Sequence, residues 1–353
     1  MIPRNRLAGI PRRSRVAHQY CFFLHDECVR LLKEYGSAGA EAVTVGFGSE
    51  QEAQKFSELA EAEDTIFAMR ETGHLDEVRK VIFNHIVLAM VSDCLRHIFE
   101  ALRCFEKRKF VVALNLLRKP LLDSLVYLSW LLGEVDDFYK AFTAANPEKL
   151  KPSLIGNRRQ EFFAKALAKT GIAELVDPEM INSIIFDPAT PRGLYGLFQH
   201  AVHLVTVQRP EIRTTPENFN FIFKNPAEDD VHEGVYEVLP AALLYFAHVV
   251  IELFGQIRPT DEGTKNAFHV RSVLGFGIVS GGETALEVRR TLQEALGSEM
   301  RCEGCGAPLK ITTHNAFRIA LTDSWRCTRC GRIAGFPFSW IIPPKGPDDE
   351  PLV

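Results

Sequence analysis

Apolar residues recur along most of this chain at the three- and four-residue spacing of a helix with one buried face. Residues 16–35 carry Tyr20, Phe23, Leu24, Leu31 and Leu32 in that pattern, with Gly36 as a stop. Ser49 and Glu52 form a capping box ahead of an acidic helix over 50–72. From 75 to 107 no Gly or Pro interrupts the pattern, which predicts one amphipathic helix on the order of 50 Å long. Residues 110–132 are apolar on nearly every face, as befits the centre of a bundle, and Pro120 predicts a kink. Shorter helical patterns cover 135–145, 157–170, 178–186 and 192–207, and a second long apolar helix over 231–256 is expected to break near Pro240.

A glycine-rich loop at 277–282 follows a strand-like run and precedes a helix over 283–296. Its glycines have phosphate-loop spacing, but Glu283 stands where such a loop needs Lys, so it reads as a flexible connector.

The pattern then changes. Cys302 and Cys305, followed by Gly306, and Cys327 and Cys330, followed by Gly331, are two Cys-x-x-Cys turns 21 residues apart. Each turn presents two thiolates to one tetrahedral ion, and the following glycine permits the positive φ that brings backbone N–H groups toward sulfur. One structural zinc ion is expected; a redox dithiol is the other chemistry open to such a motif. The module resembles a zinc ribbon, with strands expected at 309–313 and 317–321 and a third within 333–340. The expected organisation is an all-α helical bundle at 16–297 and a small β zinc ribbon at 300–341. A basic disordered arm at 1–15 precedes them and an acidic, Pro-rich tail at 342–353 follows.

At 353 residues, with 46% hydrophobic residues and 25 Phe, the chain can build a large core without disulfides. Cys21, Cys28, Cys94 and Cys104 sit singly in helical patterns and read as buried thiols. Thiolates kept for a metal, with no secretory signal, point to the cytoplasm. The longest uncharged apolar run, 238–251, is too short to span a membrane, and no transmembrane helix is expected.

Net charge is −4, yet both ends are basic. Arg4, Arg6, Arg12, Arg13 and Arg15 precede the first acid, and residues 301–340 hold six Lys or Arg against Glu303 and Asp323. Arg318, Arg326, Arg329 and Arg332 beside Trp325 offer phosphate contacts and a stacking surface for RNA or single-stranded DNA. The alternative is ordinary solvating charge around a core tryptophan.

The stretches ALNLLRKPLLDSLVYLSWLL (113–132) and YGLFQHAVH (195–203) resemble HEPN-like helical domains, over about residues 75–257. That resemblance implies a prokaryotic toxin or antiviral setting and a tendency to homodimerise. Its active ribonucleases carry Arg, four to six residues, then His, which here is matched by Arg79 with His85 and by Arg12 or Arg13 with His18. Lys119 and Asp123, four apart on the most apolar helix, and His200 with His203 on another form a candidate polar cluster, structural or ligand-binding. Three functions follow as expectations: nucleic-acid association as an effector or effector subunit, a scaffold docking a partner through the ribbon, and a small-ligand sensor using the cluster.

Overall fold

The structure is a computed structural model, which describes residues 1–190, 192–207, 213–221, 225, 227–297 and 299–342. All of the expected tail but Ile342 lies outside the described residues.

The first fifteen residues do not form the expected disordered arm. Two 3-10 turns, Arg6–Gly9 and Arg12–Ser14, bury Leu7 and Ile10 and lead into α1 (Arg15–Ser37). The apolar residues of the arm find a core to join, and Arg6 meets the carboxylate of Glu106 at 2.6 Å.

Ser49 caps α2 (Glu50–Ala62), accepting the Glu52 N–H at 3.2 Å. The acidic segment then breaks at Glu63, where Asp64 caps a separate α3 (Thr65–Glu71). The long helix α4 (Leu75–Glu106) runs uninterrupted as its pattern requires. Beyond it come α5 (Phe110–Arg118), a π-helical turn (Lys119–Ser124) and α6 (Leu125–Gly133). The wider turn accommodates Pro120, which has no N–H to give the α-helical ladder.

Helices α7 (Val135–Phe142), α8 (Pro152–Ile155), α9 (Arg159–Leu167), α10 (Pro178–Phe186) and α11 (Leu194–Val202) wrap the bundle. The central helix, α12 (Asp230–Ile257), continues through Pro240 instead of breaking there. Every residue from 238 to 251 is buried, so packing on all sides holds the helix across the missing hydrogen bond. By length and composition α4 and α12 could each cross a membrane, although no single uncharged run is long enough. The most apolar window of α12 is 83% buried and that of α4 33%; a buried core helix passes the same test.

The glycine-rich segment is helical, not a connector. It lies mostly in α13 (Glu262–Ser280), which turns at Gly281 into α14 (Gly282–Leu296). Gly275 faces the Tyr20 ring so closely that a Cβ would lie 2.7 Å from Cε2, and the Tyr20 hydroxyl donates to the Ser272 carbonyl at 2.7 Å. Gly275 thus serves helix packing, whereas Gly281 and Gly282, with φ of 73° and 56°, serve the turn.

The small C-terminal β module contains α15 (Thr313–Thr322), the antiparallel strands β1 (Ser324–Arg326) and β2 (Ile333–Gly335), and α16 (Phe338–Ile341). Where two strands were expected between the cysteine pairs, there is one helix. Phe317, Ile319 and Leu321 alternate, but the intervening Ala316 and Ala320 are buried as well, which suits a helix and not a one-sided strand. The expected third strand is β2 for its first three residues and α16 thereafter. This module is seated along α13. Arg271 donates to the carbonyls of Ala320 and Leu321 and pairs with Glu27 of α1 at 3.0 Å, while Phe317, Ile319 and Trp325 join the same apolar core as the bundle.

Candidate metal centre and basic face

Both Cys-x-x-Cys segments fold alike. Gly306 N–H donates to Cys302 O at 2.8 Å and Gly331 N–H to Cys327 O at 3.0 Å, and the two glycines adopt φ of 67° and 76°. A positive φ is needed there, as the spacing implied. Cys302 N–H closes back on Ala307 O and Cys327 N–H on Arg332 O, each at 2.8 Å.

The four sulfurs lie within 4.8 Å of one another, with Cys302 to Cys330 at 3.5 Å and Cys305 to Cys327 at 3.7 Å. A disulfide needs about 2.05 Å, whereas a thiolate tetrahedron with 2.3 Å metal bonds has edges of about 3.8 Å. The four cysteines are therefore positioned to hold a metal ion. Hydrogen bonds from the Cys330 and Arg329 N–H groups lower the pKa of the Cys327 thiol; at Cys330 the Arg332 N–H acts in the same direction, but the neighbouring sulfurs, that of Cys327 among them, outweigh it and raise the pKa.

The flanking aromatic does not offer a stacking surface. Trp325 is 2% exposed and belongs to the core, while Arg326, the next residue of β1, faces outward. Arg326 is exposed and its Nε donates to Gly331 O at 3.2 Å; Arg329 and Arg332 are also exposed. Arg318 is half-buried, donating to Ser324 Oγ at 2.8 Å. Burial, reinforced by the charge of Arg326, lowers its pKa.

Two groups outside the predicted set belong with these arginines. His314, in the first turn of α15, is pushed down by burial and then by the charges of Arg318, Arg326 and Arg4. The Met1 amine is lowered by burial and by Arg318. The start of the chain, Met1 and Arg4, thus comes near the basic face of the C-terminal module. Beside the second cysteine pair, Thr312, His314, Arg326 and Arg329 line a recess of 450 Å³; Thr312 also borders a second recess of 500 Å³ with Arg289, Arg290 and Lys310. The sequence signal for this was only the doubly basic terminus. Buried Asn315 ties the face together, its Nδ2 donating to the Lys310 and Arg326 carbonyls at 2.9 and 3.0 Å and its Oδ1 accepting the Arg326 N–H at 3.0 Å.

The candidate polar cluster does not assemble. Lys119 reaches Asp93 of α4 at 2.7 Å, and Asp123 is exposed, its pKa raised by partial desolvation against the opposing charges of Arg118 and Lys119. His200 lies edge-on to Phe221 with ring centres 6.1 Å apart, and exposed His203 ends α11.

The Arg-to-His pairs fail on geometry as well. Six helical residues turn Arg79 and His85 about 120° apart. Arg79 pairs with Asp136 over the Tyr139 ring, while exposed His85 hydrogen-bonds Val81 O one turn back. Fully buried His18 bonds the Tyr236 hydroxyl at 2.5 Å and faces Glu106, whereas Arg13 pairs with Glu233. Single cysteines Cys21, Cys28 and Cys94 are buried thiols as expected, and Cys104 is half-buried. Burial raises the first three, Cys94 to about 12.

No protein-family model, curated protein or solved structure matches this chain.

Proposed function

We propose that Cys302, Cys305, Cys327 and Cys330 hold one structural Zn²⁺, and that the face beside it binds RNA or single-stranded DNA. Four thiolates in a closed tetrahedron suit a soft ion and leave no position for substrate, so the metal would fix the shape of the module and take no part in a reaction. The observation that carries the nucleic-acid reading is the convergence of Arg4, His314, Arg318 and Arg326 with the nearby Arg289, Arg290 and Arg329. Cations gathered from three parts of a chain with net charge −4 give a local positive field suited to a phosphate backbone.

The test is fluorescence anisotropy with a labelled single-stranded RNA and its DNA counterpart across a salt series. Binding should weaken steeply with salt, and Arg326→Ala with Arg329→Ala should lower affinity by about tenfold and flatten the slope. Affinity unchanged by the double substitution would end this reading. A role as an effector or effector subunit of a prokaryotic antiviral or toxin system, in the cytoplasm and as a homodimer, rests on the HEPN resemblance and thiol usage alone.

A second reading, docking of a partner protein, is favoured by the exposed Trp340, Ile341 and Ile333 on the same module. A partner retained at high salt and lost with Trp340→Ala would select it.

A further inference from the structure

A cleft of 690 Å³ lies between the segment following α1, the first half of α4, the start of α7 and the end of α12. Its size falls in the range that encloses small organic ligands. Val43, Phe83 and Ile257 give it an apolar wall, and its charged lining is Arg79, already paired with Asp136, together with Lys80 and Asp76. Arg79 is held in place by Asp136 and by the Tyr139 ring, 5.3 Å from its guanidinium carbon. Exposed Lys80 has no ion-pair partner among the described residues.

The cover of this cleft is an irregular segment. Residues 38–49 contain no helix or strand, a length at which connections in compact proteins are commonly either functional or linkers. Their tether is the buried side chain of Asn84, which donates to Glu41 O at 3.0 Å. The helix that follows, α2, buries none of its residues, and the far end of the strap is held by Phe47, whose ring lies 5.1 Å from Phe56 and 5.5 Å from His74, centre to centre.

We propose that this cleft binds a small molecule with one anionic group, carboxylate, sulfonate or phosphate, on an apolar body. Lys80 meets the anion beside the Asp136-paired Arg79, the body lies against Val43, Phe83 and Ile257, and the strap settles over it. This site is separate from the basic face and does not depend on nucleic-acid binding.

The probe is 8-anilinonaphthalene-1-sulfonate, an aromatic sulfonate, titrated into the full-length protein and followed by fluorescence. One saturable site per chain is expected, with added protection from hydrogen exchange at residues 40–48. Lys80→Glu should weaken binding at least tenfold and Val43→Trp should block it, while Arg289→Glu with Arg290→Glu leaves it unchanged. The proposal falls if binding is not saturable, if single-stranded RNA displaces the probe, or if both cleft variants bind it as the wild type does. A Lys80→Glu protein that melts abnormally leaves Val43→Trp and the exchange pattern to decide in the same sense.

Discussion

Arg6 and Glu106, one hundred positions apart, meet at 2.6 Å over the ring of Phe22, and this pair locks the amino-terminal segment onto the end of α4. Glu106 is buried and also accepts from Arg103 at 2.5 Å and faces His18 at 3.4 Å. Burial alone would raise its pKa, but the hydrogen bonds from His18 and Arg6 and the charges of Arg6 and Arg103 hold it at about 2. Glu106→Ala should therefore cost about 1 to 3 kcal/mol, since it removes the hydrogen-bond acceptor of two partly exposed arginines and of His18. Urea unfolding monitored by circular dichroism measures this, and a loss below about 1 kcal/mol would mean that the pair adds little.

Stability should fall on acidification below neutrality. Burial holds His232 down to about 4 and lowers His18 despite the nearby Glu106 carboxylate. An unfolded histidine titrates near 6.5, so between roughly pH 6.5 and 4 the unfolded chain binds protons that the folded chain refuses. The stabilisation is complete above that window and is lost as pH falls through it, by an amount on the order of 2 kcal/mol for His232. Glu106 adds a second loss between about pH 4.5 and 2, again because its folded pKa is the lower. His232→Phe should flatten the first part of a melting-temperature profile, whereas an unchanged profile would remove His232 from the account.

Metal analysis should find one zinc ion per chain, and Cys327→Ser should abolish it. Because the module shares its core with α13, the loss should reach beyond the cysteines. Amides of α15 and the second half of α13 should exchange faster, while those of α12 keep their protection. Exchange acceleration confined to residues 300–310 would show that the module keeps its fold without metal.

Asp123→Asn should change stability by less than about 0.5 kcal/mol, because that carboxylate faces solvent. Trp325→Ala should cost about 3 to 5 kcal/mol through the cavity it leaves. Paired denaturation curves compare the two directly.

Sequence periodicity foretold α4 and α10 well, because both follow uninterrupted apolar patterns and α10 starts at a proline. The cysteine pairs were equally legible, since ligand spacing is a local property of the chain. What escaped were choices made by tertiary contact. The alternation of Phe317, Ile319 and Leu321 mimics a strand, but Ala316 and Ala320 are buried too. Asp123 looked trapped in an apolar helix, but the π turn next to Pro120 leaves it facing water. Trp325 among arginines could be read either as a platform or as a plug, and only its burial in the folded module decides between them. No local pattern unites Val43, Arg79, Val135 and Gln256, which become neighbours only when four distant segments pack.

The absent side chain of Gly275 gives α13 the character of a lever with its fulcrum against the Tyr20 ring. A Cβ there would also lie 3.2 Å from Leu321 of α15, and Arg271, one turn earlier, grips α1 and α15 together. With no slack at the pivot, a shift of the cysteine module has to be transmitted to α1 rather than absorbed. Gly275→Ala would then act at a distance, prying the two ends of the protein apart from a position that touches neither metal nor ligand.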